Sequence, residues 1–388
     1  MGSPTTREGR RMRIEFTRSE RSTVGIEWEI ALVDRDTGDL VQSADEVLHA
    51  LEPADGGEQS QITHELLRNT IELISSVHHS VPHAVAELQG LIESVREVTD
   101  DLGIELMCAG THPFAQWFDQ KPTPSERYEH LLERTQWWGR QMLIWGVHVH
   151  VGIEQRDKVL PIVNGLLTYL PHLQALSASS PFWGGVATGY ASNRALMFQQ
   201  LPTAGLPWQL EHWSDYERYV DDLVKTQVIR DYTEVRWDIR PSAHWGTVEM
   251  RACDGVSTVT ELGALAAIIH CLTERMSAQL DGGEPPLVLP PWFVRENKWR
   301  AARYGIDADI ILDPGGAQGP VADGLRSLVT ELAPTAERLG CSAELADVER
   351  ILRTGVSYQR QLAVAEANGG SLPAVVSSLT TELRTGLK

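Results

Sequence analysis

Three short runs place acidic, imidazole and guanidinium side chains two residues apart: Glu27-Trp28-Glu29, His148-Val149-His150 and Glu249-Met250-Arg251. On a β-strand, residues i and i+2 point to the same face. Each run therefore directs two polar groups into one space, while Trp28, Val149 or Met250 faces the other way. The flanks are strand-forming: Thr23-Val24-Gly25-Ile26, Trp145-Gly146-Val147 and Thr247-Val248. Such a face is costly in apolar surroundings unless something neutralises it. Carboxylates with an imidazole suit a hard divalent cation, Mg²⁺ or Mn²⁺.

The acids of the first run share their face with Gly25, Ala31 and Val33, and Val24, Ile26, Ile30 and Leu32 occupy the other. Apolar residues on both faces indicate a central strand, which favours a metal-binding role for Glu27 and Glu29 over a solvated edge. Glu72 is a lone acid in the apolar run Asn69–Ile74 and joins the candidates. Glu65 is a weaker one, because an acid in such a context is more often solvated. His-x-His is also the spacing of amidohydrolase zinc sites. Those need a (β/α)₈ barrel with regular strand–helix repeats, which are not apparent here. One of the two histidines is expected to be a ligand, the other a substrate or nucleotide contact.

Glu249 and Arg251 could form a simple salt bridge. Arg240, on a neighbouring strand, can share that face, and two guanidinium groups together suit a carboxylate or phosphate. Arg300 and Arg303, at i and i+3 of a helical pattern, share a face and could also meet phosphates. Asn193-Arg194 opens another helix. There is no phosphate-loop or dinucleotide fingerprint, and Asp313-Pro314-Gly315-Gly316 reads as a turn. Cys253 reads as a small core residue.

The elements that must position these groups are legible in part. Strands are expected at Met12–Phe16, Thr23–Val33, Asn69–Val77, Ile104–Ala109, Glu234–Arg240 and Thr247–Arg251. Helices are expected over Ser80–Asp101, Ser125–Gly139, most of Gln155–Leu201, and from a capping box at Thr258–Glu261 onward. Residues 1–10 read as a disordered tail, and 11–388 as one domain with a helical C-terminal part. Strands and helices mix without βαβ alternation, which favours an α+β fold with an antiparallel sheet.

The chain has 388 residues, enough for a large core. Its net charge of −19 argues against nucleic acid or an anionic membrane as partner. A metal or local arginines can still admit a small anion. No secretory leader and no spanning run of about 20 apolar residues is evident. The four cysteines lack CxxC spacing and fit a reducing cytoplasm.

Several motifs in one order resemble glutamate–cysteine ligase family 2, the bacterial carboxylate–amine ligases of the YbdK type. They are Gly25-Ile26-Glu27-Trp28-Glu29, Asn69-Thr70-Ile71-Glu72-Leu73, His148-Val149-His150-Val151-Gly152, Ser192-Asn193-Arg194, Trp237–Ser242 and Thr247–Asp254. The resemblance implies a glutamine-synthetase-like fold: a curved antiparallel sheet forming a funnel, with helices outside. It implies ATP-dependent joining of a carboxylate, glutamate's foremost, to an amine, cysteine or another amino acid, through an acyl phosphate. The metal-binding acids of such ligases map onto Glu27, Glu29, Glu72 and Glu249, with His150 as the imidazole and His148 left for nucleotide. Arg240 and Arg251 fall where substrate and phosphate contacts are expected. A homodimer is implied as well. A metal-dependent amide hydrolase and a weakly active Mg-ATP-binding paralogue are the alternatives, separated by ATP dependence and ADP release.

Overall fold

The structure is a computed structural model and describes residues 13–52 and 61–387. The expected N-terminal tail lies outside the described residues. Among them, eleven strands are β1 (Val24–Asp34), β2 (Ile62–His64), β3 (Thr70–Ile74), β4 (Ile104–Met107), β5 (Gly146–Gly152), β6 (Phe182–Trp183), β7 (Val186–Ala187), β8 (Ile239–Ser242), β9 (Thr247–Asp254), β10 (Asp309–Ile311) and β11 (Gln318–Pro320). The first helices are α1 (Ala44–Ala50), α2 (Val81–Asp101), α3 (Glu126–Thr135), α4 (Trp137–Arg140), α5 (Val159–Ser177), α6 (Arg194–Phe198) and α7 (Trp213–Lys225). The C-terminal part is α8 (Val259–Asp281), α9 (Pro291–Tyr304), α10 (Val321–Leu339), α11 (Ser342–Thr354), α12 (Ser357–Ala367) and α13 (Leu372–Thr385).

The main sheet runs β2-β3-β1-β5-β9-β8, with β4 pairing the end of β1. Every pairing in it is antiparallel. The period of two divides its residues cleanly. Ile26, Trp28, Ile30 and Leu32 of β1 are buried in the main core, as are Val149 of β5 and Met250 of β9. Helices α2, α5 and α8 cover this face. The same core takes Leu88, Ile92 and Val95 of α2, the stripe that the sequence spacing marks. α8 starts as its capping box requires: the Thr258 hydroxyl accepts from the Glu261 N–H at 3.2 Å. Arg156–Ser177 is the stretch among the described residues that is long and apolar enough to cross a membrane, and 83% of that window is buried in the protein.

Four expectations change. Residues 13–16 form no strand. Side chains hold this segment instead: Glu217 accepts from the Ile14 N–H at 3.0 Å, and the Trp213 indole donates to the Ile14 carbonyl at 3.1 Å. The helix expected over Ser125–Gly139 breaks at Gln136, whose φ is +49°. Gly184, Gly185 and Gly189, all at positive φ, accompany a small β6–β7 hairpin where helix was expected. The strand expected from Glu234 begins only at Ile239, because Tyr232–Glu234 is a helical turn capped by Asp231.

Candidate active site

The uncovered face of the sheet carries the polar groups, and the register puts them side by side. Glu29 lies opposite Glu72 on β3, and Glu27 opposite His148 on β5. His150 lies opposite Glu249 on β9, and Glu249 opposite Arg240 on β8. The pairings thus bring into one row residues that run from Glu27 to Glu249 in the sequence. β9 carries one extra residue between its pairings with Val149 and Val147, a bulge at Arg251-Ala252. Bulges re-aim side chains, and this one occurs where Arg251 turns toward Glu249.

A cavity of about 450 Å³ opens on this face. Glu27, Glu29, Glu65, Glu72 and His148 line it together with Arg194, Arg236, Arg240 and Arg251. Glu27 ties the histidines together. Its Oε2 meets His148 Nδ1 at 2.8 Å, and its Oε1 lies 3.2 Å from His150 Nε2. His150 is oriented from behind by Thr247, whose Oγ1 lies 2.8 Å from Nδ1. The buried Nε2 makes no hydrogen bond. Glu249, fully buried, is held by Arg240 Nε at 2.6 Å and by Arg251. Arg240 also donates to the carbonyls of Thr233 and Val235. Arg251 Nε, by contrast, is buried without a partner.

Electrostatics divide the carboxylates. Burial pushes the Glu29 carboxyl up to about 8, with Glu65 adding to it against Arg194 and the Gly146 N–H. Burial and the charges of Glu65, Glu27 and Glu29 push Glu72 well above the ordinary range. Burial raises Glu65 as well. Burial also pushes on Glu27 and Glu249, but their partners prevail. The hydrogen bond with His148 and the nearby ring of His150 hold Glu27 well below its ordinary value. Arg240, Arg251 and His150 do the same for Glu249. His148 is lowered to about 4 by burial and by Arg251, so its neutral ring donates from Nδ1 to Glu27 and keeps a lone pair on Nε2.

Three trios have ligand atoms within 4.8 Å of one another: Glu27–His150–Glu249, Glu27–Glu72–His148 and Glu29–Glu65–Glu72. The residues fit hard divalent cations on two counts: the orphaned Nε2 of His150, and a group of three acids that cannot all stay ionised in a buried place without a cation. Mg²⁺ or Mn²⁺ would be held by these trios. Both histidines belong to one, whereas the sequence pointed to a single imidazole ligand.

Glu65, the weaker candidate of the sequence, follows the three-residue strand β2 and enters the acid group. Arg194 reaches over β5 on the cavity side, where Gly146 makes room: a Cβ there would collide with the Arg194 guanidinium. The sequence did not single out Arg127, Tyr128 and Arg236, which line the cavity from an expected helix and an expected strand. In the other direction, Arg300 and Arg303 on α9 do not line it. Arg300 binds Glu296 and the carbonyl of Asp309, and Arg303 binds the Gly189 carbonyl over the rings of Tyr190 and Tyr304. Both arginines are engaged by neighbouring residues of the protein.

Residues 23–378 match the family model of glutamate–cysteine ligase family 2. A Leifsonia xyli protein, provisionally named glutamate–cysteine ligase 2, is 71% identical over 97% of this chain and 99% of its own length. A Rhodococcus jostii protein, likewise provisionally named glutamate–cysteine ligase 2-2, is 55% identical over 96% of this chain and 100% of its own. Among solved structures, the glutamate–cysteine ligase of Francisella tularensis in complex with AMP superposes with a TM-score of 0.63 at 15% identity, over 95% of this chain and 90% of that one. A bifunctional glutathione synthetase from Pasteurella multocida gives 0.65 at 15% identity, over 93% of this chain and 52% of that one. These two likenesses concern the fold. Taken with the family match and the antiparallel sheet that carries the acids, they lead to one conclusion: the chain belongs to glutamate–cysteine ligase family 2 and is an enzyme of the carboxylate–amine ligase type.

Proposed function

We propose that this enzyme uses ATP to activate a carboxylate, glutamate's γ-carboxylate first among the candidates, and transfers the acyl group to an amine, with cysteine or another amino acid as acceptor. The observation that carries the reading is the mixed lining of the cavity: carboxylates needing cations stand in one space with guanidiniums suited to phosphate. Among the described residues, no cysteine or serine lines it. A route without an enzyme-bound covalent intermediate fits that lining. The carboxylate oxygen attacks the γ-phosphorus, the bond to ADP breaks, and an acyl phosphate results. The amine's lone pair then attacks the acyl carbon, the C–O bond to phosphate breaks, and the amine proton leaves with the phosphate.

Bound Mg²⁺ or Mn²⁺ would neutralise and orient the phosphates. Glu27, Glu29, Glu72, Glu249, His148 and His150, with Glu65, would hold it. Arg251 lines the cavity, and its guanidinium would contact the transferring phosphoryl group. Arg240 clamps Glu249 and fixes the β8–β9 edge of the site. A cytoplasmic setting, where ATP and Mg²⁺ are supplied, suits this reaction.

The test is an ADP-release screen of carboxylates against amines, with product masses determined. The expected result is ADP formation that requires both substrates and yields their amide. Amide cleavage without ATP would instead establish the hydrolase. Binding of Mg-ATP with no turnover across the screen would establish the inactive paralogue.

A further inference from the structure

A second cavity, of about 360 Å³, adjoins the first. Arg127, Leu131, Thr233 and Arg236 line both, so they form a shared wall. Arg127 and Leu131 come from α3, and Thr233 and Arg236 from the segment before β8. The outer chamber adds groups of both signs: Arg134 and Arg230, with Glu126, Asp231 and Glu234. Positive charge at the shared wall is not cancelled. Among the described residues Arg127 makes no hydrogen bond and no ion pair. The Glu234 carboxylate comes no nearer to Arg236 than 3.8 Å, although Arg236 Nη1 donates to the Glu234 carbonyl at 3.1 Å. Burial lowers Arg236 to about 10, Glu234 notwithstanding, and the guanidiniums of Arg127, Arg240 and Arg251 add to the effect.

Resting on the ligase reading above, we propose that the outer chamber is the acceptor subsite and selects an amine that carries its own carboxylate, a free amino acid. Arg127 and Arg236 hold that carboxylate at the shared wall, leaving the amine free to face the inner cavity. The acid wall of the inner cavity repels a second carboxylate, so an amino-acid acceptor has its electrostatic complement only on the arginine side. The acids of the outer chamber meet the acceptor's ammonium on entry, and a zwitterion matches a chamber with both signs. The donor carboxylate and the phosphates belong in the inner cavity, where Arg194, Arg240 and Arg251 stand with the cation ligands.

The experiment measures amide formation by mass with ATP, glutamate and a panel of free amino acids, each paired with its descarboxy amine, such as cysteine with cysteamine. Wild type is expected to prefer the carboxylated member of the pair it uses. In Arg127→Ala, the acceptor KM for that amino acid should rise roughly tenfold or more, as for loss of a charge-assisted contact, while the KM for its descarboxy partner stays within about twofold. Arg236→Lys, which keeps charge and loses the fork, should give a smaller shift of the same kind. Arg127 is exposed and makes no bond, so its removal leaves the fold intact. Equal losses on both members of the pair, or a rise in the KM for glutamate with discrimination preserved, would overturn the subsite. A wild type that ligates no amine of the panel would overturn the ligase reading itself, a distinct result.

Discussion

Two ends of one sheet face carry buried glutamates with opposite behaviour. At the β1–β3 end, Glu29, Glu65 and Glu72 stand together with no basic group in hydrogen-bond contact, and their carboxyls are pushed up. At the β9 end, Glu249 is more deeply buried, yet Arg240 and Arg251 hold it ionised. Burial alone therefore does not set the state of these acids; partners do. The β9 end is complete as protein, an acid already neutralised. The β1–β3 end is complete only with protons or cations. Divalent ions are expected to weigh most on the second, and to meet competition from guanidinium groups at the first.

The largest test of this difference is Glu72→Gln. The substitution keeps the shape and removes an anionic oxygen shared by two of the ligand-spaced trios. Losing even an outer-shell partner of a metal costs about 10- to 100-fold, so a ligand should cost roughly 10²-fold or more in ATP-dependent turnover. The folded state without metal should not weaken, because a crowded carboxylate has gone. Full turnover at limiting Mg²⁺ would remove Glu72 from the site.

Next in size is Arg251→Lys. Lysine can keep one bond to Glu249 but loses the planar fork of the guanidinium, which lines the cavity. Turnover per folded molecule should fall about tenfold or more, as for a contact that strengthens when charge moves onto the transferring group. If Arg251 serves only as Glu249's salt-bridge partner, thermal unfolding shifts while turnover of the folded fraction is unchanged. Measuring both on the same preparation decides.

A smaller effect, on stability alone, follows from the raised acids. Glu29 has a folded pKa of about 8 against an ordinary value of 4.5. Between these values the folded state holds a proton that the unfolded state has released. Stability without metal therefore falls as pH rises through that window. Glu65 and Glu72 act in the same sense. Glu249 has the opposite sign: its contribution is present above about pH 4.5 and is lost only as pH falls through its lowered pKa. The metal-free melting temperature should decline from pH 5 to pH 8, and added Mg²⁺ should restore more at pH 8 than at pH 6. A flat profile, or equal rescue at both, would mean that the acid group is already neutralised by the protein.

The difference between the ends also explains what could be read in the sequence. The period of two identified β1, β5 and β9 and the face each turns to the cavity, because apolar neighbours on the opposite face fix the alternation. Long-range pairing was not legible, so the Glu29–Glu72 neighbourhood did not follow from spacing, whereas Arg240 could be placed beside Glu249 on a neighbouring strand. Glu65 stayed a weaker candidate because β2 has only three residues, too few for a pattern. Arg127 and Arg236 escaped because a charge in an expected helix or strand carries no mark of function until tertiary structure sets it over a cavity. Arg194 was visible as a charge opening an apolar helix, but its reach past Gly146 depends on strand packing.

Arg303 supplies the smallest expected effect and the control for the rest. Together with Arg300 it was the sequence's candidate for phosphate, on the strength of i, i+3 spacing alone. The structure sets it on α9 against the Gly189 carbonyl and two tyrosine rings, away from the cavity. An exposed contact of this kind contributes about 0.5–1 kcal/mol through its cation–π and hydrogen-bond partners. Arg303→Ala should therefore lower the melting temperature by a degree or two, with the KM for ATP and kcat at wild-type values. The same variant discriminates between the two ways of assigning phosphate contacts. A severalfold rise in the KM for ATP would mean that nucleotide reaches α9. The inner-cavity arginines Arg194, Arg240 and Arg251 would then be only part of the phosphate site.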